Sequence, residues 1–320
     1  MTIKRGWLAV LLACALLPLL SGCGRGAKDV VVYTSVDEAY SRPVFEAFEA
    51  QTGIRVRAVY DLESQKTVGL ANRLRAEKQR PQADVFWSGE SAAILPLEED
   101  GMVGEVTAFG GRARVLLINT ERMPDRAQWP EHLLDLLAYD PGTVAMANPL
   151  FGTSAAHAAA LYAALGPLEG KRFYEGARKR FVILEGNGAV RDQAAAGRVP
   201  MGLTDTDDAF SAVQAGKPVE MVFLDQGDGG LGTLVMPNTA AMTEGAPHPE
   251  HAALLLAYLT SRETQRALYE AGWFDLADFP EDIAAPRFDF ASLRPMAVPL
   301  REIAGCAGQA AADMEALFLQ

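Results

Sequence analysis

The sequence has few cysteines and histidines, and this excludes several kinds of site. Its 320 residues include three cysteines, of which only Cys306 lies beyond residue 23. A lone cysteine forms no internal disulfide and no cysteine metal cluster. No histidine lies near Cys306 in the sequence to activate it as a nucleophile. The four histidines lack a metal-binding spacing; they are His132, His157, His248 and His251.

Basic residues and long apolar runs are also scarce. The 29 Lys and Arg residues face 41 Asp and Glu residues, so the formal net charge is −12. Loss of an N-terminal segment that contains Lys4 and Arg5 would lower this charge to −14. Because so acidic a surface repels polyanions, we expect no binding to nucleic acid. After residue 20, no stretch is long and apolar enough to predict a membrane-spanning helix.

Residues 1–22 have the pattern of a secretory signal peptide. Two basic residues precede a run over 7–20 that is apolar apart from one proline, and it is too short to span a bilayer. The sequence Leu20-Ser21-Gly22-Cys23 resembles a bacterial lipoprotein signal, in which the cysteine is lipidated. We therefore predict export, lipid attachment at Cys23, a leader over 23–28, and a periplasmic or cell-surface protein tethered to the membrane. The alternative is a plain signal cleaved nearby.

The rest of the chain alternates β-rich runs with helical stretches, which predicts an α/β fold with mainly parallel sheets. It contains no repeat and no Ser-, Gln- or Pro-rich linker, so any domain division must arise where the chain crosses between domains. The predicted strands cover residues 30–34, 56–60, 83–87, 115–119, 144–147, 181–184, 201–204 and 220–224. The predicted helices cover residues 43–51, 64–78, 154–165, 170–179, 189–196 and 207–215, with a further helix start at Pro249.

Small polar and acidic side chains follow most of the predicted strands. In open α/β sheets, ligands bind at the carboxyl ends of the strands, where helix N-termini supply hydrogen-bond donors. The alternative is that these side chains only cap helices. The candidate ligand-binding residues in these turns are Asp37, Asp61, Glu63, Asn148, Thr153, Ser154, Asn187 and Asp205.

Charged residues near two of the strands add further candidates. Asp205, Asp207 and Asp208 place three acids in four positions, and their mutual repulsion favours a bound cation or a donor-rich ligand over plain helix capping. Solvated surface charge is the alternative. Arg112 and Arg114 alternate faces of an apolar strand, so we expect one to point into a cleft and the other to the surface. Arg112 is the candidate anion contact.

The sequence gives little support for catalysis. The glycine-rich stretch over 227–232 lacks the Lys-Ser/Thr that follows a phosphate-binding loop, and its Asp228 would repel phosphate. The acids have no evident nucleophile or base partner. We therefore expect a protein that is not an enzyme and needs no catalytic cofactor, with an enzyme on the same fold as the alternative.

Three stretches, in their order along the chain, resemble those of the ferric-iron-type extracellular solute-binding proteins (family 1) of bacterial ABC importers. They are Val31-Val32-Tyr33-Thr34-Ser35, the segment 45–56, and Pro81-Gln82-Ala83-Asp84-Val85-Phe86-Trp87-Ser88. Segments around Arg112, Asn148 and Asn187 also fit. The resemblance implies an α/β, two-lobed type II periplasmic-binding-protein fold with a hinge and an interlobe cleft. It implies lobes over 29–110 plus 236–278 and over 111–235 plus 279–320, a monomer, and a permease and an ATPase as partners.

The resemblance also implies a ligand. Ferric-binding members hold iron with a histidine near the first strand, a glutamate after the third and a tyrosine pair, and an anion completes the shell. Here Asp37, Glu90 and the pair Asp207-Asp208 stand at those positions, which implies Fe3+ or another hard cation with phosphate or carbonate. Arg112, Thr153, Ser154 and Asn187 would hold the anion. Because no tyrosine stands at these positions, the identity of the metal stays open. An acidic wall that faces an anion-friendly wall equally fits a zwitterionic or phosphorylated organic solute, which is the alternative; a protein that reports ligand state to a membrane kinase is a third.

Overall fold

A computed structural model of the chain describes residues 28–61, 68–273 and 293–319. The predicted signal peptide, the lipid attachment at Cys23 and the candidate Glu63 lie outside these residues. Among the residues that are described, no helix has both the length and the apolarity to cross a membrane.

Within the described residues, nine strands form one continuous, curled sheet. Their order is β2-β1-β3-β9-β4-β7-β5-β6, and β8 pairs with β4 on the far side. The short central strands are runs of Val, Ala, Met and Phe because they are buried on both faces. The strands are β1 (Asp29–Thr34), β2 (Arg55–Tyr60), β3 (Val85–Ser88), β4 (Thr107–Asn119), β5 (Val144–Ala147), β6 (Val182–Leu184), β7 (Met201–Asp205), β8 (Val219–Val222) and β9 (Val235–Met242).

Helices cover both faces of the strands. They are α1 (Glu38–Thr52), α2 (Val68–Ala76), α3 (Ser91–Glu99), α4 (Gly152–Leu165), α5 (Pro167–Arg180), α6 (Asn187–Ala195), α7 (Thr206–Gln214), α8 (Pro249–Leu259), α9 (Arg262–Glu270) and α10 (Leu300–Phe318). Two 3-10 helices, Arg126–Gln128 and Leu133–Ala138, lie between β4 and β5.

Strand β4 joins two halves of the molecule. Its first residues pair with β9, and its last residues pair with β7 and β8. The register shifts between Phe109 and Arg112, where Gly110 has a φ of +52° that other residues seldom adopt. The predicted domain limits after residues 110 and 235 fall in β4 and at the start of β9, beside this bulge; the division itself stays a prediction.

The buried apolar residues form separate cores on either side of these crossing strands. On one side they come from residues 30–109 and 240–273, and on the other from 115–236 and 303–314. Helix α10 belongs to the second side through Ile303, Ala310 and Met314. It also reaches the first side, because Arg301 pairs with Glu98 on α3 at 2.5 Å.

Several elements differ from the sequence-based predictions. The sheet is mixed: the nine strands of the described residues make four parallel and four antiparallel pairings, and each antiparallel one involves β4 or β9. Strand β9 was not predicted because Pro237 and Asn238 interrupt its apolar pattern. Helix α3 was not predicted because Pro96 lies inside it. The sequence analysis also did not predict α9 and α10. The predicted helix 43–51 begins earlier, at Glu38, with Pro43 inside it.

Candidate ligand-binding cleft

A cavity of about 80 Å³ opens between the two halves, and we call it the cleft cavity. It lies at the carboxyl ends of β1, β3 and β5 and at the starts of α3, α4 and α6. This volume holds several water-sized groups or the polar part of a small solute. Its lining includes eight residues that the sequence predicted as site residues: Asp37, Glu90, Arg112, Asn148, Thr153, Ser154, Asn187 and Asp205.

The remaining predicted candidates lie elsewhere. Asp61 accepts a hydrogen bond from the backbone N–H of Leu70 at 3.1 Å and does not line the cleft cavity. Asp207 and Asp208 also lie outside the lining. Conversely, Trp273, Phe151 and Glu185 line the cavity although the sequence did not mark them as site residues. Phe151 and Glu185 lie in the same turns as the predicted candidates, so their position after a strand could have identified them. Trp273 could not be found in this way, because it follows α9, a helix that the sequence analysis did not predict.

The second half of the molecule presents two helix N-termini to the cleft cavity. Helix α4 begins at Gly152, and its N-cap residue Phe151 makes no side-chain capping bond. Helix α6 begins at Asn187 after Gly186, which has no side chain to cap it. The first N–H groups of a helix have no partner within it, and the helix dipole favours negative charge there. The two starts together therefore suit an anion.

Ser154, in the first turn of α4, carries the clearest sign of a ligand. The residue is 2 % exposed and lines the cleft cavity. Its buried Oγ has no hydrogen-bond partner within the described structure. A buried polar group left without a partner costs about 1–3 kcal/mol, so such groups are uncommon unless something else binds them.

A buried hydrogen-bond network holds Thr153 and Asn187 in place beside Ser154. Arg114 donates to Asp205 at 2.7 Å and to Asn187 at 3.0 Å. Thr153 Oγ1 donates to Asp205 at 2.6 Å, and the Asn187 amide donates to Thr153 at 2.7 Å. Asp205 thus orients the residues of the anion-facing wall, and its charge is already paired.

Arg114 corrects one sequence-based expectation. We expected one of Arg112 and Arg114 to lie at the surface, but their side chains are only 13 % and 3 % exposed. The bulge before Arg112 and the pairing of β4 with β7 turn both guanidinium groups inward. Because one of the two arginines was expected at the surface, the sequence analysis chose Arg112 alone as a site residue and missed Arg114, which organises the network.

Arginines also surround the acidic cluster. Arg112 pairs with Asp207 at 3.3 Å, and Arg191 pairs with Asp208 at 3.0 Å. The chain thus supplies positive charge to the cluster, although the buried Oδ1 of Asp207 has no hydrogen-bond partner among the described residues. Across the parts of the chain that the structure describes, no three His, Cys, Asp or Glu residues are grouped so that they could hold a metal ion.

Burial changes how these groups titrate. Burial, together with the neighbouring negative charges of Asp207 and Asp205, raises the pKa of Asp208 to about 7. Burial also raises the pKa of Asp207. Burial opposes the charge on Arg112, yet the carboxylates of Asp207, Asp205 and Glu90 raise the pKa of its guanidinium.

The first half of the molecule supplies an acidic and aromatic wall. Asp37 follows β1, and Glu90 follows β3 directly before α3. The guanidinium of Arg112 lies over the Trp273 ring, 5.2 Å from its centroid. Glu90 approaches the other half closely, because a Cβ placed on Gly152 would lie 3.6 Å from Glu90 Oε1. The two walls therefore meet across a narrow gap.

A family model for bacterial extracellular solute-binding proteins matches residues 29–274. The chain belongs to this family. Membership makes it a binding component of an ABC importer, which implies export, a small ligand, and a permease and an ATPase as partners. Family and fold are those of transport proteins rather than of enzymes.

Solved structures of low identity share the fold. The iron-bound HitA of Pseudomonas aeruginosa is 21 % identical with a TM-score of 0.80, covering 91 % of this chain and 99 % of its own. The ferric binding protein of Campylobacter jejuni is 18 % identical with a TM-score of 0.76, covering 90 % and 99 %. AfuA of Actinobacillus pleuropneumoniae, solved with fructose-6-phosphate, is 16 % identical with a TM-score of 0.76, covering 90 % and 98 %. The prediction of a two-lobed type II periplasmic-binding-protein fold is confirmed.

Proposed function

We propose that this receptor delivers a small organic solute with an anionic group, such as a phosphate, phosphonate or carboxylate, to its importer. The observation that carries the proposal is the buried, unpartnered hydroxyl of Ser154 at the start of α4. Thr153 and Asn187 lie beside it and are fixed by Arg114 and Asp205. An anion bound there would accept hydrogen bonds from the Ser154 hydroxyl and from the N-termini of α4 and α6.

Ferric iron with a synergistic phosphate or carbonate is the second candidate, and the iron-bound HitA favours it through its fold. Iron would have to be held by Asp37, Glu90, Asp207 and Asp208. The last two already pair with Arg112 and Arg191. A trivalent cation there would sit against two guanidinium groups or displace them. The geometry therefore supports the organic solute better.

The proposal includes closure around the ligand. Asp37 and Glu90 come from one side of the crossing strands, whereas Ser154 and Asn187 come from the other. A ligand that contacts both sides stabilises a closed state, with β4 and β9 as the hinge. We further propose the lobe limits given above, a monomeric receptor, and a lipid anchor on Cys23 that keeps it at the membrane.

A thermal-shift and calorimetric screen tests the function. The probes are small organic phosphates and carboxylates, each with and without an amino group, and ferric citrate. We expect at least one organic class to raise the Tm in a concentration-dependent way. Stabilisation by ferric citrate alone would overturn the proposal in favour of iron.

Two serine variants make the screen specific. Ser154→Ala should weaken binding roughly 10- to 100-fold, the worth of about one hydrogen bond to a charged group. It should not lower the stability of the ligand-free protein, because the hydroxyl has no partner there. The control is Ser261→Ala, which removes the N-cap bond of α9 to Thr264 and should cost about 1 kcal/mol of stability without changing affinity.

A further inference from the structure

Asn238 lies on β9 at the point where this strand passes from one half of the molecule to the other. Its cross-strand partner is Phe109 on β4, and the register between the two strands shifts directly after this pair. Within the shift, Gly110 has a φ of +52°, and Pro237 has no N–H to donate to the ladder. The pairing of the two crossing strands is therefore interrupted beside Asn238.

The Asn238 side chain is buried without a hydrogen-bond partner. The residue is 0 % exposed, and neither its Oδ1 nor its Nδ2 has a partner within the described structure. Asn238 lies two residues before Ala240, whose partner on β3 is Trp87. Its side chain therefore projects from the same face of the sheet as Trp87 and Phe109. These two rings pack together, with centroids 6.4 Å apart, so the amide faces an apolar core.

A second buried asparagine shows what such an amide requires. Asn119, on β4, is 1 % exposed. Its amide donates to the Ala194 carbonyl at 2.9 Å and accepts from the N–H groups of Glu121 and Arg122 at 3.1 and 3.0 Å. A buried amide that makes none of these bonds destabilises the arrangement that buries it. The described arrangement carries this cost at Asn238.

The cost falls on a closed arrangement of the two halves. Their walls meet across the cleft, where Glu90 Oε1 lies 3.6 Å from the place of a Cβ on Gly152. Arg301 on α10 also reaches Glu98 on α3. Rotation of the halves about β4 and β9 would change the packing around Asn238 and admit water to its amide. Burial of the amide thus opposes closure.

We infer that Asn238 is a hinge residue that favours the open form of the ligand-free receptor and thereby limits its affinity. This inference rests on the closure included in the proposed function, but not on the identity of the ligand. A ligand that contacts both halves must offset the cost of burying the amide before the closed form prevails. The apparent affinity falls with the fraction of the receptor that can close.

Asn238→Leu tests the inference, because leucine has the branched shape of asparagine without its amide. The ligand-free variant should have a smaller radius of gyration than ligand-free wild type, as measured by small-angle scattering. In calorimetric titrations with an organic anion that binds wild type, the variant should bind roughly tenfold more tightly. Asn238→Ala removes the amide without filling its space and should shift both quantities in the same direction.

Asn119→Leu is the matched control, because it makes the same substitution at the same burial but removes an amide that is fully bonded. It should lower the Tm and leave the radius of gyration and the affinity unchanged. Equal radius of gyration and equal affinity in wild type and Asn238→Leu would overturn the inference, because the amide would then cost the same in both forms.

Weaker binding by both variants of Asn238 would also overturn the inference and make this amide a ligand contact. The scattering comparison needs no ligand. Failure of every organic anion to bind would therefore overturn the proposed function, whereas the hinge role of Asn238 would still be decided by the ligand-free proteins.

Discussion

Arg114 and Asp205 face each other on adjacent antiparallel strands, in register on β4 and β7, with Arg114 Nη1 2.7 Å from Asp205 Oδ1. Their side chains are 3 % and 1 % exposed. Such a buried pair is costly to desolvate, but removing one partner is costlier because it leaves a buried charge alone. The pair also orients Thr153 and Asn187, so it couples the fold to the anion-facing wall.

Arg114→Met should lower the free energy of unfolding by about 3–5 kcal/mol, because Asp205 then stays buried with only Arg112, 3.8 Å away, as its counter-charge. Urea denaturation measures this loss. The double variant Arg114→Met with Asp205→Leu should recover much of the stability but not ligand binding. A single variant as stable as wild type would contradict the role of the pair.

The raised pKa of Asp208 predicts that the stability of the folded protein falls as the pH rises. Its pKa is raised to about 7 in the folded protein, against an ordinary value of 3.8. The stability it contributes is therefore fully present below about pH 4 and is lost as the pH rises through 7. Asp208→Asn should remove this loss, so its gain in Tm over wild type should be larger at pH 8 than at pH 5.

Asp192→Asn provides the comparison for Asp208→Asn, because Asp192 pairs with the same Arg191 but is 65 % exposed. Both variants remove an ion pair to Arg191, but only Asp208→Asn also removes a buried carboxylate, so the comparison shows the effect of the buried carboxylate alone. Asp208→Asn should also retain binding of an organic solute. Loss of all binding in this variant would instead support a metal at Asp207 and Asp208.

The lowered pKa of His157 predicts that the stability of the folded protein falls as the pH is lowered. Burial and the charge of Arg114 lower the pKa of His157 to about 3, against an ordinary value of 6.5. Its contribution to stability is therefore present above pH 6.5 and is lost as the pH falls through that value toward 3. His157→Gln should flatten the acid side of the stability profile, as followed by denaturation between pH 7 and 4. An unchanged slope would show that His157 does not cause it.

The hinge predicts a change of shape with ligand. Because the proposed ligand contacts come from both sides of β4 and β9, the bound protein should be more compact. Small-angle scattering should show a smaller radius of gyration once a probe that binds is saturating. Identical scattering with and without that ligand would contradict closure.

The sequence was sufficient to locate the cleft but not its internal pairing. Asp37, Thr153, Ser154 and Asn187 were predicted together because the carboxyl ends of the strands converge, a rule that needs no tertiary detail. Arg114 was missed because its partner Asp205 lies 91 residues away, and strand pairing alone brings them together. Family resemblance gave Asp207 and Asp208 a metal role, but no local pattern revealed that Arg112 and Arg191 pair with them.

Fold prediction was limited in the same way. The apolar, β-branched strands were recognised from composition, whereas β9 has Pro237 within it and pairs with both β3 and β4. A strand that crosses between two halves is buried by both of them, so its sequence lacks the usual alternation. The family resemblance placed the crossing points near residues 110 and 235, but the pairing of β9 with both β3 and β4 was visible only in the structure.

The most direct test of the account is to identify what binds in the cleft. The purified receptor, incubated with a low-molecular-mass extract of the cells that make it, would be examined by native mass spectrometry. The ligand would then be released and its mass determined, with Ser154→Ala as the control. We expect an organic ligand with an anionic group, bound by wild type and largely lost from the variant. A bound ferric ion, retained equally by Ser154→Ala, would contradict the account.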